Sequence, residues 1–375
     1  MAEVPAIIRE ARRIEEISQS LHPVRWAAIL AVSLPLLLLL AAGIASVTAH
    51  VDASRALMRL LRYVLGVELA VVLVLALTGF RYERRARRDD RELYPAPGRQ
   101  LDIGGYRLDI QCGGARGPTV VLEYGLEGSY LDWRLVEPQI AGFTRVCIYD
   151  RAGYGWSDPS PRRRVPSVMA DELHSLLHAA GEKAPYLLVA HSFGSFNAVM
   201  FAHKFPQEVF GLVLVDGMHT LSDFPFPLRR RISLLGTEAL IPFGLPRWRG
   251  WCGGAAPPDL RGLKQAISCR RTLFRTFYRE NESLTASAAE VRSITTLGGV
   301  PLIVIARDPS VPYAGERARW ELIQKQKLAL STQGELIVAT GSGHDIPLRR
   351  PDLIITAVKK LVAQSPSTGG HPGNS

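Results

Sequence analysis

LLVAHSFGSFNAVMFA, residues 187–202, changes its hydrophobic pattern at one point. Leu187 to Ala190 is an apolar run typical of a buried strand, whereas the residues after Ser192 have helical spacing. Ala190 and Gly194 flank Ser192 at two residues on either side. Small residues there permit the sharp strand-to-helix turn that lifts a nucleophilic serine out of a sheet. The alternative interpretation is a serine that only caps the helix.

The rest of the chain alternates strand-like and helix-like segments. This alternation is typical of a doubly wound, mostly parallel α/β sheet, with functional groups at the carboxyl ends of the strands. Strands are predicted at 106–112, 119–125, 145–150, 186–192, 211–217, 300–306 and 334–340, and helices at 131–142, 166–180, 193–205, 314–330 and 349–363. Residues 218–299 show no convincing strand. We interpret them as a helical excursion with its own small core, as a cap whose aromatic residues line an apolar pocket, or as both.

A serine hydroxyl needs a base within hydrogen-bond reach to act as a nucleophile. His344, in GSGHDIPLRRP, follows the last predicted strand, and glycines on its N-terminal side permit a tight turn. The imidazole in turn needs a carboxylate to fix its tautomer. Asp308, after the strand at 300–306, is the predicted acid, although it also has the pattern of an Asp-Pro turn. Asp216, at the end of the strand at 211–217, is the alternative carboxylate.

The negative charge of a tetrahedral intermediate requires two hydrogen-bond donors. One candidate is the backbone amide of Phe193, directly after the serine. The other is the amide of Leu126, in the loop EYGLEGS, where Gly125 lets the backbone turn.

Residues 100–363 resemble the α/β-hydrolase superfamily, in its capped branch of esterases and lipases. The stretches that carry the resemblance are EYGLEGS, YDRAGYGWSD, AHSFGS, ARDPSVP and GSGH. The resemblance implies that Ser192 is the nucleophile, His344 the base and Asp308 the acid. It also implies that the amides of Leu126 and Phe193 form the oxyanion hole.

Two departures from the family pattern concern the first small residue of the serine turn and the acid. Ala190 replaces the usual glycine, which is a mild change. The turn Ala306-Arg307-Asp308 lacks the glycine that often opens it, so the acid is the least secure of the three.

The first eighty residues contain two apolar segments. Residues 26–49 carry no charge and are long enough to cross a bilayer, for which about 20 residues suffice. Residues 63–80 are shorter and are interrupted only by Glu68. A cleaved signal peptide is the alternative, but the 25 residues before the first segment carry several glutamates, unlike a short basic leader. We therefore expect a transmembrane hairpin.

Arginine distribution predicts the orientation of this hairpin. Residues 81–88, RYERRARR, hold five arginines, and residues 1–25 are also arginine-rich. Cytoplasmic flanks are enriched in such residues, which places both ends and the main domain on the cytoplasmic side of an inner or plasma membrane. Arg55, Arg59 and Arg62 lie between the two apolar segments, so the difference in arginine content between the outer flanks and the connecting loop is incomplete. The predicted domains are a segment at 1–25, the hairpin at 26–80, a basic linker at 81–99, the hydrolase domain at 100–365 with its cap at 218–299, and a disordered tail at 366–375.

Composition limits the partners of the chain. The net charge is +10 over 375 residues, which suits anionic membrane lipid as well as nucleic acid. No zinc-finger, RNP-type or helix-turn-helix pattern is present, so nucleic acid is not expected.

The four widely spread cysteines, without a C-x-x-C pair, favour a reduced compartment over a disulfide framework. No metal or nucleotide cofactor is predicted, because the corresponding motifs are missing. The oligomeric state is left open.

These features together predict a membrane-anchored serine hydrolase. It would cleave an ester, thioester or amide of a small lipophilic substrate through an acyl-enzyme on Ser192. One alternative is a membrane-tethered binding protein that uses the fold without catalysis. Another keeps the site but carries out C–C bond hydrolysis or cofactor-free peroxidation.

Overall fold

The computed structural model describes residues 51–365, apart from residues 116, 222, 255 and 312–316. The chain divides into two compact units, residues 1–80 and residues 81–375. The predicted N-terminal segment, the predicted span at 26–49 and the C-terminal tail at 366–375 lie outside the described residues. The transmembrane hairpin therefore stays a prediction.

A single long helix, α1 (Val51–Leu93), covers the second predicted span. Within the described residues, one helical segment, Arg55–Leu93, has the length and apolar composition needed to cross a membrane. The helix also continues through residues 81–93, where the sequence analysis predicts a linker. This part contains six arginines, which favour helix, and Arg87 pairs with Glu83 one turn earlier at 2.9 Å. The helix ends just before Pro95.

The second unit is built on one eight-stranded sheet in the order β1-β2-β4-β3-β5-β6-β7-β8. The pairs β1/β2 and β2/β4 are antiparallel, and the remaining pairs are parallel. The strands are β1 (Arg99–Asp102), β2 (Arg107–Gly114), β3 (Thr119–Glu123), β4 (Arg145–Tyr149), β5 (Tyr186–His191), β6 (Val209–Val215), β7 (Leu302–Arg307) and β8 (Gly334–Ala339). The seven predicted strands correspond to β2–β8. The sequence analysis missed β1, a four-residue edge strand whose residues are mostly exposed.

Helices cover both faces of this sheet. The helices of this unit are α2 (Glu137–Ala141), α3 (Pro166–Ala180), α4 (Gly194–Lys204), α5 (Leu228–Leu240), α6 (Leu245–Trp248), α7 (Arg261–Ser268), α8 (Arg271–Glu282), α9 (Leu284–Arg292), α10 (Arg317–Leu328), α11 (Ile346–Arg349) and α12 (Pro351–Ala363). Neighbouring residues of β5 enter opposite cores: Leu188 packs with residues of α3 and α4, whereas Leu187 packs with residues of α2 and α12. A strand covered on both faces explains why β5 is a continuous apolar run.

The segment at 218–299, between β6 and β7, forms a helical insertion. All regular elements among its described residues are helical, namely α5–α9 and the short 3-10 turn Ile241–Phe243. Several of its residues are buried against the sheet domain, including Leu273 and Phe274 of α8. The insertion is thus packed onto the domain that carries the serine turn.

All four cysteines are paired, contrary to the expectation of reduced thiols. Cys112 of β2 and Cys147 of β4 are opposite one another in antiparallel register and form one disulfide. Cys252 and Cys269 form the other, which closes a short loop within the helical insertion. The sequence analysis missed both pairs because each depends on tertiary proximity that residue spacing does not reveal. Disulfides are typical of proteins that face an oxidising compartment.

These pairs predict the outcome of thiol alkylation. Iodoacetamide present in denaturant from the moment of cell lysis should add no mass to the unreduced chain, and four adducts should form when the chain is reduced before alkylation. As a control, Cys252→Ser should leave Cys269 free and gain one adduct without reduction. Intact-mass measurement reads all three states. Four adducts on the unreduced wild-type chain would contradict the pairing.

Candidate active site

Ser192 lies at the turn between β5 and α4, as the sequence predicts. Its φ is +54°, in the left-handed region that non-glycine residues rarely occupy. Gly194 must be small, because a Cβ there would lie 2.7 Å from the carbonyl oxygen of Tyr124. Backbone bonds support the strained turn: the carbonyl oxygen of Ser192 accepts from Met218 N at 3.0 Å and from Ser195 Oγ at 2.7 Å. Such strain is often found where a side chain is held for chemistry.

His344 reaches Ser192 from the loop after β8. Its Nε2 lies 3.0 Å from Ser192 Oγ, and its Nδ1 lies 2.5 Å from Asp216 Oδ2. Since a carboxylate only accepts hydrogen bonds, Nδ1 carries the proton and Nε2 is left to accept from the serine hydroxyl. A hydroxyl, imidazole and carboxylate connected in this order can transfer the hydroxyl proton to the imidazole.

The carboxylate beside His344 is Asp216, not the predicted Asp308. Asp216 follows β6, the immediate neighbour of the serine strand β5, whereas Asp308 follows β7, one strand farther away. Asp308 instead accepts hydrogen bonds from Ser310 and from the amide of Gly341 at 2.8 Å. Its own amide donates to the carbonyl of Ser342 at 2.9 Å. Asp308 therefore braces the loop that leads to His344.

Asp216 lies in a cationic environment that favours its ionised form. Its residue is 8% exposed. Burial alone would raise its pKa, but the hydrogen bond from His344 and the charges of His344, Arg307 and Lys327 outweigh burial and lower it. Arg307 Nη1 lies 3.8 Å from the carboxylate. An ionised carboxylate at this point stabilises an imidazolium that forms at His344.

His191, directly before the serine, supports the histidine loop. Its Nε2 lies 2.9 Å from the carbonyl oxygen of His344, so this nitrogen carries a proton and donates. Burial lowers the pKa of His191, which favours the neutral ring. A neutral ring beside His344 avoids a second positive charge near the candidate base. This contact of His191 was not predicted from the sequence.

The residues Leu126 and Phe193 are both neighbours of Ser192, the first through the Gly125 loop and the second in the chain. A Cβ on Gly125 would approach Ser192 Cβ to 2.9 Å, so the Gly125–Leu126 peptide passes directly over the serine. Phe193 follows the serine and precedes α4. Within the described part of the chain, neither amide donates to a protein acceptor. Both N–H groups are therefore available to a substrate oxygen.

Arg151 holds the peptide that contains the Leu126 amide. Its Nη2 donates to the carbonyl oxygen of Gly125 at 2.8 Å, and its Nη1 donates to that of Tyr124 at 2.7 Å. The Gly125 carbonyl and the Leu126 N–H belong to one planar trans peptide and point in opposite directions. By fixing the carbonyl, Arg151 also fixes the direction of the Leu126 N–H, which points away from the guanidinium group.

Arg151 is itself part of a buried ionic network. The side chain is 1% exposed and pairs with Glu123 at 2.7 Å and with Glu280, a residue of α8, at 3.4 Å. Tyr154 donates to the other Glu280 oxygen at 2.6 Å, and Tyr149 donates to Glu123. Buried charges of this kind are tolerated only when they are paired and hydrogen-bonded. The network links the helical insertion to the Gly125–Leu126 peptide.

A pocket of about 380 Å³ opens above Ser192 and His344. Apolar surface comes from the Gly125–Leu126 loop, from Trp251 and Phe274 of the helical insertion, and from the chain after His344. The charged lining residues are Glu127, Asp132, Lys264 and Asp345. The pocket is therefore lined by apolar and charged groups together, whereas the interpretation of residues 218–299 as a cap predicts an apolar pocket.

Potential metal ligands lie elsewhere. Among the described residues, two groups of His, Cys, Asp or Glu are close enough to share an ion: Cys112, Cys147 and Glu182, and His174, His178 and Glu208. The cysteines of the first group form a disulfide. Neither group includes a residue of the candidate active site.

Sequence comparison relates the chain to hydrolase-fold proteins. The family model described as alpha/beta hydrolase fold matches residues 118–235. The uncharacterized protein YqjL of Bacillus subtilis is 26% identical over 65% of this chain and 83% of YqjL. The uncharacterized protein C23C11.06c of Schizosaccharomyces pombe is 39% identical over 60% of this chain, but the match spans only 43% of that relative.

Structural comparison leads to the same fold. Haloalkane dehalogenase DbeA from Bradyrhizobium elkani superposes with a TM-score of 0.58 and 18% sequence identity, covering 71% of this chain and 97% of the dehalogenase. The chain therefore has the alpha/beta hydrolase fold. Proteins described as an epoxide hydrolase and a putative lipase are also structural neighbours. Because one fold supports several reactions, the reaction has to be argued from the site.

The geometry predicts different effects for the two aspartates. Asp216→Asn should lower kcat/KM for an ester by about 10³–10⁴-fold, because the amide no longer holds His344 in the required tautomer. Asp308→Asn should lower it by less than about tenfold, because that residue only braces the loop. Steady-state kinetics on both variants, with thermal unfolding as a folding check, measures the contrast. Equal losses, or a larger loss in Asp308→Asn, would contradict the assignment of the acid.

Proposed function

We propose that this protein is a serine hydrolase that cleaves an ester through an acyl-enzyme on Ser192. The observation that carries the proposal is the connected set Ser192 Oγ, His344 and Asp216, with separations of 3.0 Å and 2.5 Å. The alpha/beta hydrolase fold supports hydrolysis as the class of reaction. The set lies in a pocket of a size that suits a small molecule.

The first half of the reaction transfers the acyl group to the enzyme. His344 Nε2 takes the hydroxyl proton as Ser192 Oγ attacks the carbonyl carbon, and Asp216 stabilises the resulting imidazolium. The carbonyl oxygen becomes an oxyanion that accepts from the amides of Leu126 and Phe193. When the intermediate collapses, His344 gives its proton to the leaving alcohol, and the acyl group stays on Ser192.

The second half releases the acyl group to water. His344 removes a proton from a water molecule, the resulting nucleophile attacks the acyl-enzyme, and the same two amides stabilise the second oxyanion. When this intermediate collapses, the bond between the acyl carbon and Ser192 Oγ breaks, His344 returns its proton to Ser192, and the carboxylic acid is released. The serine turn disfavours the reaction type of the dehalogenase neighbour, because that chemistry needs a carboxylate nucleophile where this chain has Ser192.

The pocket lining supports an amphiphilic ester as the substrate. Trp251 and Phe274 provide apolar surface for an acyl chain, which agrees with the lipophilic substrate expected from the sequence. Lys264 and Glu127 add charged groups in the same pocket. The pKa of Glu127 is raised, because burial outweighs the opposing effect of the positive charges of Lys264 and Arg230. We therefore propose that Trp251 and Phe274 contact the acyl chain and that the charged lining residues contact a polar leaving group.

Membrane attachment is part of the proposal. The apolar helical segment Arg55–Leu93 supports an anchor that keeps the enzyme close to lipid. The arginines at 81–88 favour a cytoplasmic catalytic domain, whereas two disulfides favour an oxidising compartment. We propose the oxidising side, because disulfide formation requires it and the arginine contrast between the flanks is incomplete. Whether the cysteines are oxidised in the native membrane therefore tests which side of the membrane the catalytic domain faces.

Labelling with a fluorophosphonate probe tests the proposed nucleophile. The full chain in detergent micelles should be labelled, and Ser192→Ala should lose at least 99% of both labelling and ester hydrolysis, because only the activated serine attacks phosphorus. Ser175→Ala, at an exposed position of α3, is the matched control and should retain both. Undiminished labelling of Ser192→Ala would contradict the proposal. No labelling of a correctly folded wild-type chain would favour a binding protein instead.

A graded series of p-nitrophenyl esters tests the substrate assignment in the same preparation. The amphiphilic pocket predicts a maximum of kcat/KM at medium acyl length, and Trp251→Ala should shift the maximum or lower it. A flat response to acyl length, unchanged in the variant, would contradict the role of the aromatic wall while leaving the serine mechanism intact.

A further inference from the structure

A second group of potential ligands lies at the opposite end of α4 from Ser192. His174 and His178 are one helical turn apart on α3, so their side chains emerge from the same face. Glu208 ends the 3-10 turn Pro206–Glu208, which connects α4 to β6. One ligand atom from each of the three residues lies within 4.8 Å of the other two. The proposed hydrolase mechanism uses none of them.

The spacing of the two imidazoles suits a shared ion. Their ring centroids are 4.7 Å apart with an interplanar angle of 56°. Two imidazoles that bind one Zn²⁺ at about 2.0–2.1 Å in tetrahedral geometry have their centroids about 5 Å apart. His174 Nε2 and Glu208 Oε1 are 3.0 Å apart, which is close to the separation of two donor atoms on one zinc ion.

Two further observations indicate a prepared site rather than an accidental cluster. Glu208 Oε2 is buried and has no hydrogen-bond partner among the described residues. A buried carboxylate oxygen without a partner is costly, and a cation removes that cost. The ring of His174 stacks on Phe205 at 4.0 Å with an interplanar angle of 7°, which fixes its orientation. His178 is exposed, so the site is open to an ion from solvent.

We propose that His174, His178 and Glu208 bind one zinc ion, with water as the fourth ligand. Two imidazoles and one carboxylate are a ligand set that zinc accepts. The ion would connect α3 to the turn after α4, the helix that begins beside Ser192. With a rise of 1.5 Å per residue, the 11 residues of α4 separate the two ends by about 16 Å. The ion therefore stabilises the fold and takes no part in ester cleavage.

Zinc binding to the full chain tests this site independently of the hydrolase proposal. The chain is purified in detergent micelles without a histidine tag, treated with chelator, kept oxidised, and titrated with Zn²⁺ by calorimetry. We expect one site per chain with Kd in the micromolar range or tighter, and a rise of Tm that grows with Zn²⁺ concentration. Co²⁺ in place of Zn²⁺ should give the visible absorption of a tetrahedral site.

Two variants make the result specific. His178→Asn removes one exposed ligand, leaves the contact between His174 and Glu208 in place, and should weaken binding at least tenfold. His203→Asn, at an exposed histidine of α4 outside the group, should bind as tightly as wild type. If His178→Asn unfolds, His174→Asn provides the same test.

The zinc proposal fails if no stoichiometric binding occurs, if the Co²⁺ complex is octahedral, or if His178→Asn binds zinc as tightly as wild type. In those cases the contact between His174 and Glu208 is only a hydrogen bond. Ester hydrolysis by the metal-free chain should equal that of the zinc-loaded chain. An inactive chain that still binds zinc would overturn the hydrolase proposal alone.

Discussion

The contact between Ser192 Oγ and His344 Nε2 is the interaction on which the proposed function depends. It joins residues that are 152 positions apart in the chain. The parallel sheet makes this possible, because β5, β6 and β8 all end at the same edge and deliver Ser192, Asp216 and His344 there. The contacts among these three side chains do not follow from local structure alone. The eight-stranded sheet therefore brings the residues of the candidate site together.

Strain and buried charge accompany this assembly. The three non-glycine residues with positive φ among the described residues are Glu127, Ser192 and Asp216. All three line or adjoin the candidate site. The strained backbone persists because the surrounding contacts hold it, including the ionic network of Arg151 beneath the Gly125–Leu126 peptide. Stability and preorganisation of the site thus share the same buried groups.

The sequence predicted the elements whose residues carry a local signal. The buried strands are apolar runs, and the serine turn shows two small residues around a hydroxyl, so both could be predicted before the structure. The pairing of His344 with Asp216 rather than Asp308 could not, because both carboxylates follow a strand and only the strand order separates them. The order β5-β6-β7 puts Asp216 one strand from the serine and Asp308 two strands away.

Two of the missed features share one cause, which is distance along the chain. Cys112 and Cys147 meet only through the antiparallel register of β2 and β4. Glu208 reaches His174 only because α4 brings the chain back beside α3. The continuation of α1 through residues 81–93 is a different case, since its charged residues fit both a linker and an exposed helix.

Trapping the acyl-enzyme tests the central claim most directly. Rapid mixing of the full chain with a p-nitrophenyl ester, followed by an acid quench, should release a burst of p-nitrophenol equal to one per active chain. Peptide mass spectrometry of the quenched sample should find the acyl group on Ser192. Acylation of a different residue would contradict the account. The account would also be contradicted if the ester is cleaved with neither a burst nor an acyl adduct when the reaction is repeated at low pH, where deacylation is slow.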